Sequence, residues 1–372
     1  LNFYAGGTED SLFGGSIHRT LKEFIMGADA VGGVSLPEYF DGVMTSVASL
    51  TDYGISSERY QSYLDVPIKE REMVSSLSGL IFIDSGGYKL MNERELDSTN
   101  LEFALDQAGV CEVQRALGGD IIVNLDHPIS PDDTHAERLE KAAETGANIR
   151  QFLSLTREFD GALYLTIQGY NYSMMDEFLD TITDEVPAEV IVEAFDGIAL
   201  GGLVPKKDDR DTLIHAVTDC RELMDEWDIG DWPLHVLGIS SRAGPLLSAV
   251  GADTFDSSSH MYSAINGKYR KSLMEVVSVD GADFASCDCP VCMSTYLVDR
   301  MRGNSEYQKD ILGPVAMHNL IVQKRELAKV RESICQPGTA ALVDYLEDLF
   351  RNDQTMRRFT HQVVNQSLGG YF

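Results

Sequence analysis

Long apolar runs are missing from this 372-residue chain, and so is any basic-then-apolar opening. No stretch approaches the roughly 20 apolar residues that a bilayer-spanning helix needs, and no signal-peptide pattern is present. The expected protein is soluble and cytoplasmic (host cytoplasm, for a viral source), with no membrane partner. Cysteine is also sparse and uneven. Three of the six crowd into Cys287–Cys292, while Cys111, Cys220 and Cys335 are scattered. A secreted disulfide framework spreads its cysteines through a much shorter chain, so a reducing compartment is expected, with the scattered thiols buried and inert.

Lysine is scarce too, with 11 against 19 arginines, and the net charge is −29. Abundant Asp and Glu with few Lys keeps proteins soluble in concentrated salt, which hints at a halophilic source. So acidic a chain is at first sight a poor partner for nucleic acid. The charge is not uniform, however. Residues 1–265 carry 17 Lys and Arg against 46 Asp and Glu, whereas residues 266–372 carry 13 of each. Any phosphate backbone should therefore meet the C-terminal third.

What is present is a repeated pattern. Short apolar, β-branched runs each end in a polar or glycine cluster. Leu80-Ile-Phe-Ile83 precedes Asp84-Ser-Gly-Gly, Ile121-Ile-Val123 precedes Asn124-Leu-Asp126, and Leu163–Ile167 precedes Gln168-Gly. Gly197–Leu200, Leu234–Leu237 and Thr254-Phe255 follow, before Gly201-Gly-Leu, Gly238-Ile-Ser and Asp256 respectively. Such continuous runs suit strands buried on both faces. Segments with helical spacing lie between them, at 98–117, 135–158, 173–185, 208–227 and 243–250. Starting signals are Ser98-Thr-Asn and Asp132-Asp-Thr.

Alternation of this kind means parallel βαβ units. With earlier strands near Gly33–Leu36 and Met44–Leu50 the count reaches eight, which predicts a (β/α)8 TIM barrel over residues 1–265; a doubly wound open sheet is the alternative. In such barrels functional residues cluster at the strand C-terminal ends, where Asp84, Asp126, Gln168, Gly202, Gly238 and Asp256 all fall. A zinc-binding subdomain with a basic helix at 305–334 is expected over 266–335. One more helix, 338–352, and a polar tail occupy 336–372.

Cys287-Asp-Cys289-Pro-Val-Cys292 places three thiolates within six residues, and His318 follows in a helical segment. Zn²⁺ takes four tetrahedral ligands from sulfur and nitrogen, and a closed Cys₃His shell leaves no open position for substrate. A structural Zn²⁺ held by Cys287, Cys289, Cys292 and His318 is the expectation, with redox or iron–sulfur chemistry as the alternative. Asp84 and Asp256 could divide the work of acid/base and nucleophile.

Taken in order, Asp84-Ser-Gly-Gly-Tyr88, Asp126, Ile167-Gln168-Gly169, Gly201-Gly202-Leu203, Gly238, Phe255-Asp256, the cysteine triplet and His318-Asn-Leu resemble the guanine transglycosylase superfamily, the queuine-type base-exchange enzymes. The resemblance covers roughly residues 75–335. It implies that Asp256 attacks the anomeric carbon of a target guanosine, that guanine leaves, and that a 7-deazaguanine replaces it. Asp84 would be the general acid/base. Asp126 would accept the N–H groups of the base, and Gln168 with the Gly202 N–H would meet its carbonyl edge. Ser85 and Gly238 would belong to the same base site, the Leu203 carbonyl would face the 7-substituent, and Tyr88 would stack over the base, with Leu237 beneath it. The resemblance also implies that homodimers are possible.

Departures from the pattern concern the polymer. Lys89, His127-Pro128 and the stretch Ser257-Ser-Ser-His260-Met-Tyr262-Ser-Ala-Ile-Asn266 stand where tRNA-modifying members carry other residues, arginines among them. A C-terminal RNA-binding domain of the kind that archaeal tRNA enzymes carry is not expected either. These departures favour DNA over tRNA as the partner, a DNA-guanine transglycosylase. A tRNA enzyme of the same chemistry, a non-catalytic nucleic-acid-binding subunit and an unrelated retaining glycosidase are the alternatives.

Overall fold

The computed structural model describes residues 2–3, 42–47, 64–70, 79–88, 106–239, 242–303, 308–354 and 356–360. The expected strand at Gly33–Leu36, the start of the 98–117 helix with its Ser98 signal, Lys89 and most of the polar tail lie outside them. The described chain falls into two compact units, one ending at Gly238 and the other beginning at Ile239.

In the first unit seven strands pair in parallel and in chain order. They are β1 (Asn2–Phe3), β2 (Gly42–Ser46), β3 (Leu80–Asp84), β4 (Ile121–Val123), β5 (Ala162–Gln168), β6 (Gly197–Gly201) and β7 (Leu234–Val236). Five of these coincide with the apolar runs to within a residue or two. β2 starts two residues earlier than expected, and β1 is too short to show any periodicity in the sequence. The helices α1 (Gln107–Ala116), α2 (His135–Leu155), α3 (Tyr172–Thr183), α4 (Ala188–Ala194) and α5 (Arg210–Glu226) alternate with β3 to β7. Thr134 caps α2 through a reciprocal pair with Glu137, as the Asp-Asp-Thr signal predicts, and Asp106 caps α1 by accepting from the Gly109 N–H. The short α4 has no counterpart in the sequence reading.

The sheet is strongly curled. Phe82 of β3 and His235 of β7 stack with ring centroids 4.6 Å apart. Four strand spacings separate them, about 19 Å across a flat sheet, so the strands must roll toward one another to bring the rings together. Phe82 also meets Tyr164 edge-on at 5.7 Å. With Met44, Val123 and Ala199, the Phe82 and Tyr164 rings fill the inner face, one side chain from each of the five consecutive strands β2 to β6. Such a layer is how a parallel barrel packs its interior.

Two aspartates close the opposite, N-terminal edge by the same device. Asp120, just before β4, accepts the Ile81 N–H through its carboxylate at 2.6 Å, and its own N–H donates to the Ile81 carbonyl at 2.8 Å. Asp196, before β6, does the same to Leu163 at 2.9 and 2.8 Å. Backbone groups that the ladder leaves unpaired are satisfied at both places.

The second unit opens with α6 (Gly244–Ala249), β8 (Thr254–Phe255) and α7 (Ser259–Ile265). A hairpin of β9 (Lys268–Arg270) and β10 (Val276–Ser278) follows, then the short helices α8 (Pro290–Met293) and α9 (Thr295–Met301). The long α10 (Gln308–Ile334) and α11 (Ala340–Leu349) complete it, close to the expected 305–334 and 338–352. The Phe255 ring lies where a side chain at Gly244 would be, with its Cζ 2.7 Å from that Cβ position, which seats β8 against the start of α6.

Candidate active site

In the first unit the strand C-terminal ends gather Asp84, Ser85, Asp126, Gln168, Gly202 and Leu203. Asp126 is the centre of this group. It is 5% exposed, accepts the Ser85 hydroxyl at 3.1 Å on one oxygen and the Gln168 side-chain amide on the other. Burial, and then the negative charge of Asp84, push its carboxyl up to about 7, although the Ser85 and Gln168 hydrogen bonds pull the other way. A carboxylate at this depth is stable only with donors around it, and a ligand that brings further N–H groups would favour the ionised form.

Glycines line the cradle because nothing larger fits. A side chain at Gly87 would run into the Asp126 carboxylate, and one at Gly201 into the Gln168 amide. Gly202 combines a φ of +77° with a Gln168 Oε1 only 2.5 Å from the position of an added Cβ. Gly86, at φ +87°, turns the chain so that its N–H donates to Asp84 at 3.1 Å. Gln168 Oε1 is buried and has no hydrogen-bond partner, which leaves an acceptor facing the cradle. Leu203 is fully buried, and Leu237 packs on the inner layer of rings. Gly238, at φ +72°, lies against Val204, and Tyr88 is half exposed.

Residues absent from the sequence reading hold Asp126 in place. Gln107 of α1 accepts the Leu125 N–H at 2.8 Å, Asn148 of α2 donates to the Leu125 carbonyl at 3.1 Å, and Thr145 accepts the His127 N–H at 3.0 Å. Gln114 bridges the ends of β3 and β4 by donating to the Ile83 and Val123 carbonyls, both at 2.9 Å. The signal was there. Gln107 and Gln114 lie seven residues apart on the face of α1 that also buries Val110, Cys111 and Val113, and a polar residue in an apolar stripe is expected to be answering a backbone group.

In the second unit Asp256 directly follows β8 and is 3% exposed. The turn after it is closed by its own serines. The Ser259 N–H donates to Ser257 Oγ at 3.2 Å, and the two hydroxyls pair at 3.0 Å.

The unit also brings Cys287, Cys289, Cys292 and His318 together, with all four ligand atoms within 4.8 Å of one another. The three sulfurs lie 3.7, 3.3 and 3.4 Å from His318 Nδ1. A tetrahedral ion with Zn–S near 2.3 Å and Zn–N near 2.0 Å requires S···N edges of about 3.6 Å. His318 Nε2 pairs with the Arg270 carbonyl at 2.7 Å, so Nε2 carries the proton and Nδ1 turns its lone pair to the sulfurs. Tyr269 stacks on the imidazole at 3.9 Å and reaches Cys292 Sγ with its hydroxyl at 3.3 Å. The donor set and spacing fit a metal such as zinc. A bound ion would supply a cross-link between α8 and α10 with all four positions filled by protein.

The model of the family described as "Queuine tRNA-ribosyltransferase" matches residues 65–351, a span that holds the strand-end residues, Asp256 and the four metal-ligand candidates. The chain belongs to the queuine tRNA-ribosyltransferase family. It is similar to the tRNA-guanine(15) transglycosylase of Pyrococcus furiosus, 26% identical over 307 residues, or 78% of this chain and 47% of that protein. The protein of the same name from Haloferax volcanii is 26% identical over 287 residues, 76% of this chain and 50% of its own length. That from Thermococcus onnurineus is 29% identical over 276 residues, 72% and 42%. The chain thus spans about half the length of these relatives. None of its described helices is long and apolar enough to cross a membrane.

Proposed function

We propose that the protein exchanges a guanine base in a nucleic acid for a free 7-deazaguanine, by double displacement through a covalent glycosyl-aspartate. The observation that carries this reading is the buried Asp126 carboxylate, held between Ser85 and Gln168 and walled by Gly87, Gly201 and Gly202. A flat ring that presents adjacent N–H donors beside a carbonyl, as guanine does, suits a carboxylate flanked by amide groups.

In the proposed sequence Asp256 attacks the anomeric carbon of the target nucleoside. The C–N bond to guanine breaks as the C–O bond to the carboxylate forms, and Asp84 delivers a proton to the departing base. The free 7-deazaguanine then gives a proton to Asp84, attacks the same carbon and releases Asp256. Two displacements retain the configuration, as in retaining glycoside chemistry. Asp126 accepts the N–H groups of whichever base is bound, Gln168 and the Gly202 N–H address its carbonyl edge, and the Leu203 carbonyl faces the 7-substituent. Tyr88 stacks on the ring, with Leu237 under it and Gly238 in the same base site. The target nucleotide must leave its stack to react. Zn²⁺ on Cys287, Cys289, Cys292 and His318 would be structural.

The relatives' names support tRNA as the polymer. One observation favours DNA instead. The turn and helix after Asp256, Ser257–Ile265, contain no arginine and expose Tyr262 and Ile265 at 51% and 48%. The experiment is incubation with isotope-labelled 7-deazaguanine and either tRNA or duplex DNA, followed by digestion and mass spectrometry of the nucleosides. Label in one polymer identifies the substrate. Label in neither, with the metal site filled, overturns base exchange.

A further inference from the structure

The turn that follows Asp256 is tied to the helix that carries His318 by a short run of hydrogen bonds. Gln323 of α10 is 5% exposed, and its side-chain amide donates to Ser259 Oγ at 3.1 Å. Ser259 Oγ in turn meets Ser257 Oγ at 3.0 Å, and Ser257 adjoins Asp256 in the chain. One turn earlier on the same helix face, Asn319 is fully buried. It donates to the carbonyls of His260 at 3.3 Å and Lys268 at 3.0 Å and accepts the Arg270 N–H at 2.9 Å. His318, its neighbour, holds the Arg270 carbonyl at 2.7 Å. Two turns of α10 therefore hold both ends of the segment from Ser259 to Arg270.

A buried amide is an uncommon choice for that position. Most side chains of α10 between Val315 and Ile321 are apolar and buried. A leucine at 323 would fill similar space and avoid the desolvation of an amide, so the polar group must serve a directional contact. Its contact is a serine hydroxyl in a turn where Ser257 and Ser259 pair through their hydroxyls and the Met261 and Tyr262 N–H groups donate to the Ser258 carbonyl. A serine hydroxyl rotates about its Cβ–Oγ bond and has several low-energy arrangements. The Gln323 amide selects one of them from a helix that the Cys₃His group also anchors.

We infer that Gln323 and Ser259 are positioning residues for Asp256: they hold the turn after β8 so that the carboxylate keeps one orientation through both displacements. This rests on the reading of Asp256 as the nucleophile. Their loss should lower the rate of the chemical step and leave base affinity alone, because in the proposed function Asp126 and Gln168 hold the base. Misplacement of a reacting group by about an ångström costs on the order of a hundredfold in rate.

The test uses the full-length, metal-loaded protein and radiolabelled guanine, with unfractionated tRNA and with duplex DNA. Gln323→Leu and Ser259→Ala are each expected to lower kcat about 10- to 100-fold, with KM for guanine within about twofold of the parent. Metal content and melting temperature should stay those of the parent in Ser259→Ala, which removes one oxygen. The double variant should be no slower than the slower single variant, since both break the same contact. Gln323→Glu, which can accept the Ser259 hydroxyl proton, should recover most of the rate. Full kcat in both single variants overturns the inference, and so does a loss that tracks metal content or melting temperature. Asp256→Ala run in parallel separates the two levels. Exchange that survives it sinks the nucleophile reading, whereas a dead Asp256→Ala beside a fully active Gln323→Leu sinks only the positioning role.

Discussion

The two units solve the same problem, holding a carboxylate in a buried place, by different means. In the first, Asp126 sits at the end of a strand in a curled parallel sheet, and the backbone on both sides of it is pinned by Gln107, Asn148 and Thr145. In the second, Asp256 directly follows a strand of only two residues, and the turn beyond it depends on side-chain hydroxyls and on α10. The first design borrows its rigidity from a sheet ladder. The second borrows it from a helix that a metal-binding cluster can anchor. Charge follows the same division approximately, with −29 on residues 1–265 and zero on residues 266–372. A site on the sheet should therefore be insensitive to metal, and the turn after β8 should depend on it.

The largest effect should come from Asp256→Ala. Exchange is expected to fall by about 10⁴-fold or more, with no protein–nucleic-acid adduct in denaturing gels, because a nucleophile's contribution cannot be shared. Next in size is removal of the metal. Cys289→Ser should abolish stoichiometric zinc by atomic emission and cost several kcal/mol of stability in the second unit. Protection of β3 to β6 amides in hydrogen exchange should be nearly unchanged. Equal loss in both units would erase the contrast drawn above.

Asp126→Asn sharpens the comparison from the other side. The Asp126 carboxyl titrates near 7 in the folded protein and near 4 when unfolded, so the folded state holds its proton more tightly. The stability this gives is complete below about pH 4 and is lost as pH rises through about 7. The asparagine variant should therefore gain on the order of 2–4 kcal/mol relative to the parent at pH 8 but little at pH 4, by denaturant titration. It should also bind free base at least about tenfold more weakly. In the parent, KM for the base should rise as pH falls below about 7, since the protonated carboxyl loses one acceptor. Gly202→Ala comes next, costing about 1–3 kcal/mol through its positive φ and its contact with Gln168, with a matching loss of base affinity. The smallest effect is expected from salt. Screening the excess acidic charge should raise the melting temperature modestly between 0.1 and 1 M salt.

Much of the fold was legible in the sequence. β3 to β7 are continuous apolar runs because strands covered on both faces have no polar side, and each ends in the residues that make the cradle. The Cys₃His set was legible because metal ligands must be these residue types and three of them are close in the chain. β1 was not, since two residues carry no period. Neither were α4, the Asp120 and Asp196 clamps, nor the Gln107, Asn148 and Thr145 contacts. Each of those clamps and contacts rests on a partner 18 to 39 residues away that no local pattern names.

The sequence by itself determined which residues could do chemistry: the carboxylates at strand ends, the glycines that must lie beside them, and four ligands for one ion. Tertiary structure decided how they are held. Only the curl of the sheet brings Phe82 onto His235 and packs the floor under the cradle. Only the path of α10 puts Gln323 against Ser259, 64 residues away in the chain. Periodicity reports what a side chain faces, water or core, and both glutamines and serines give an ambiguous answer. Their directional bonds become visible once the backbone has fixed where each donor points.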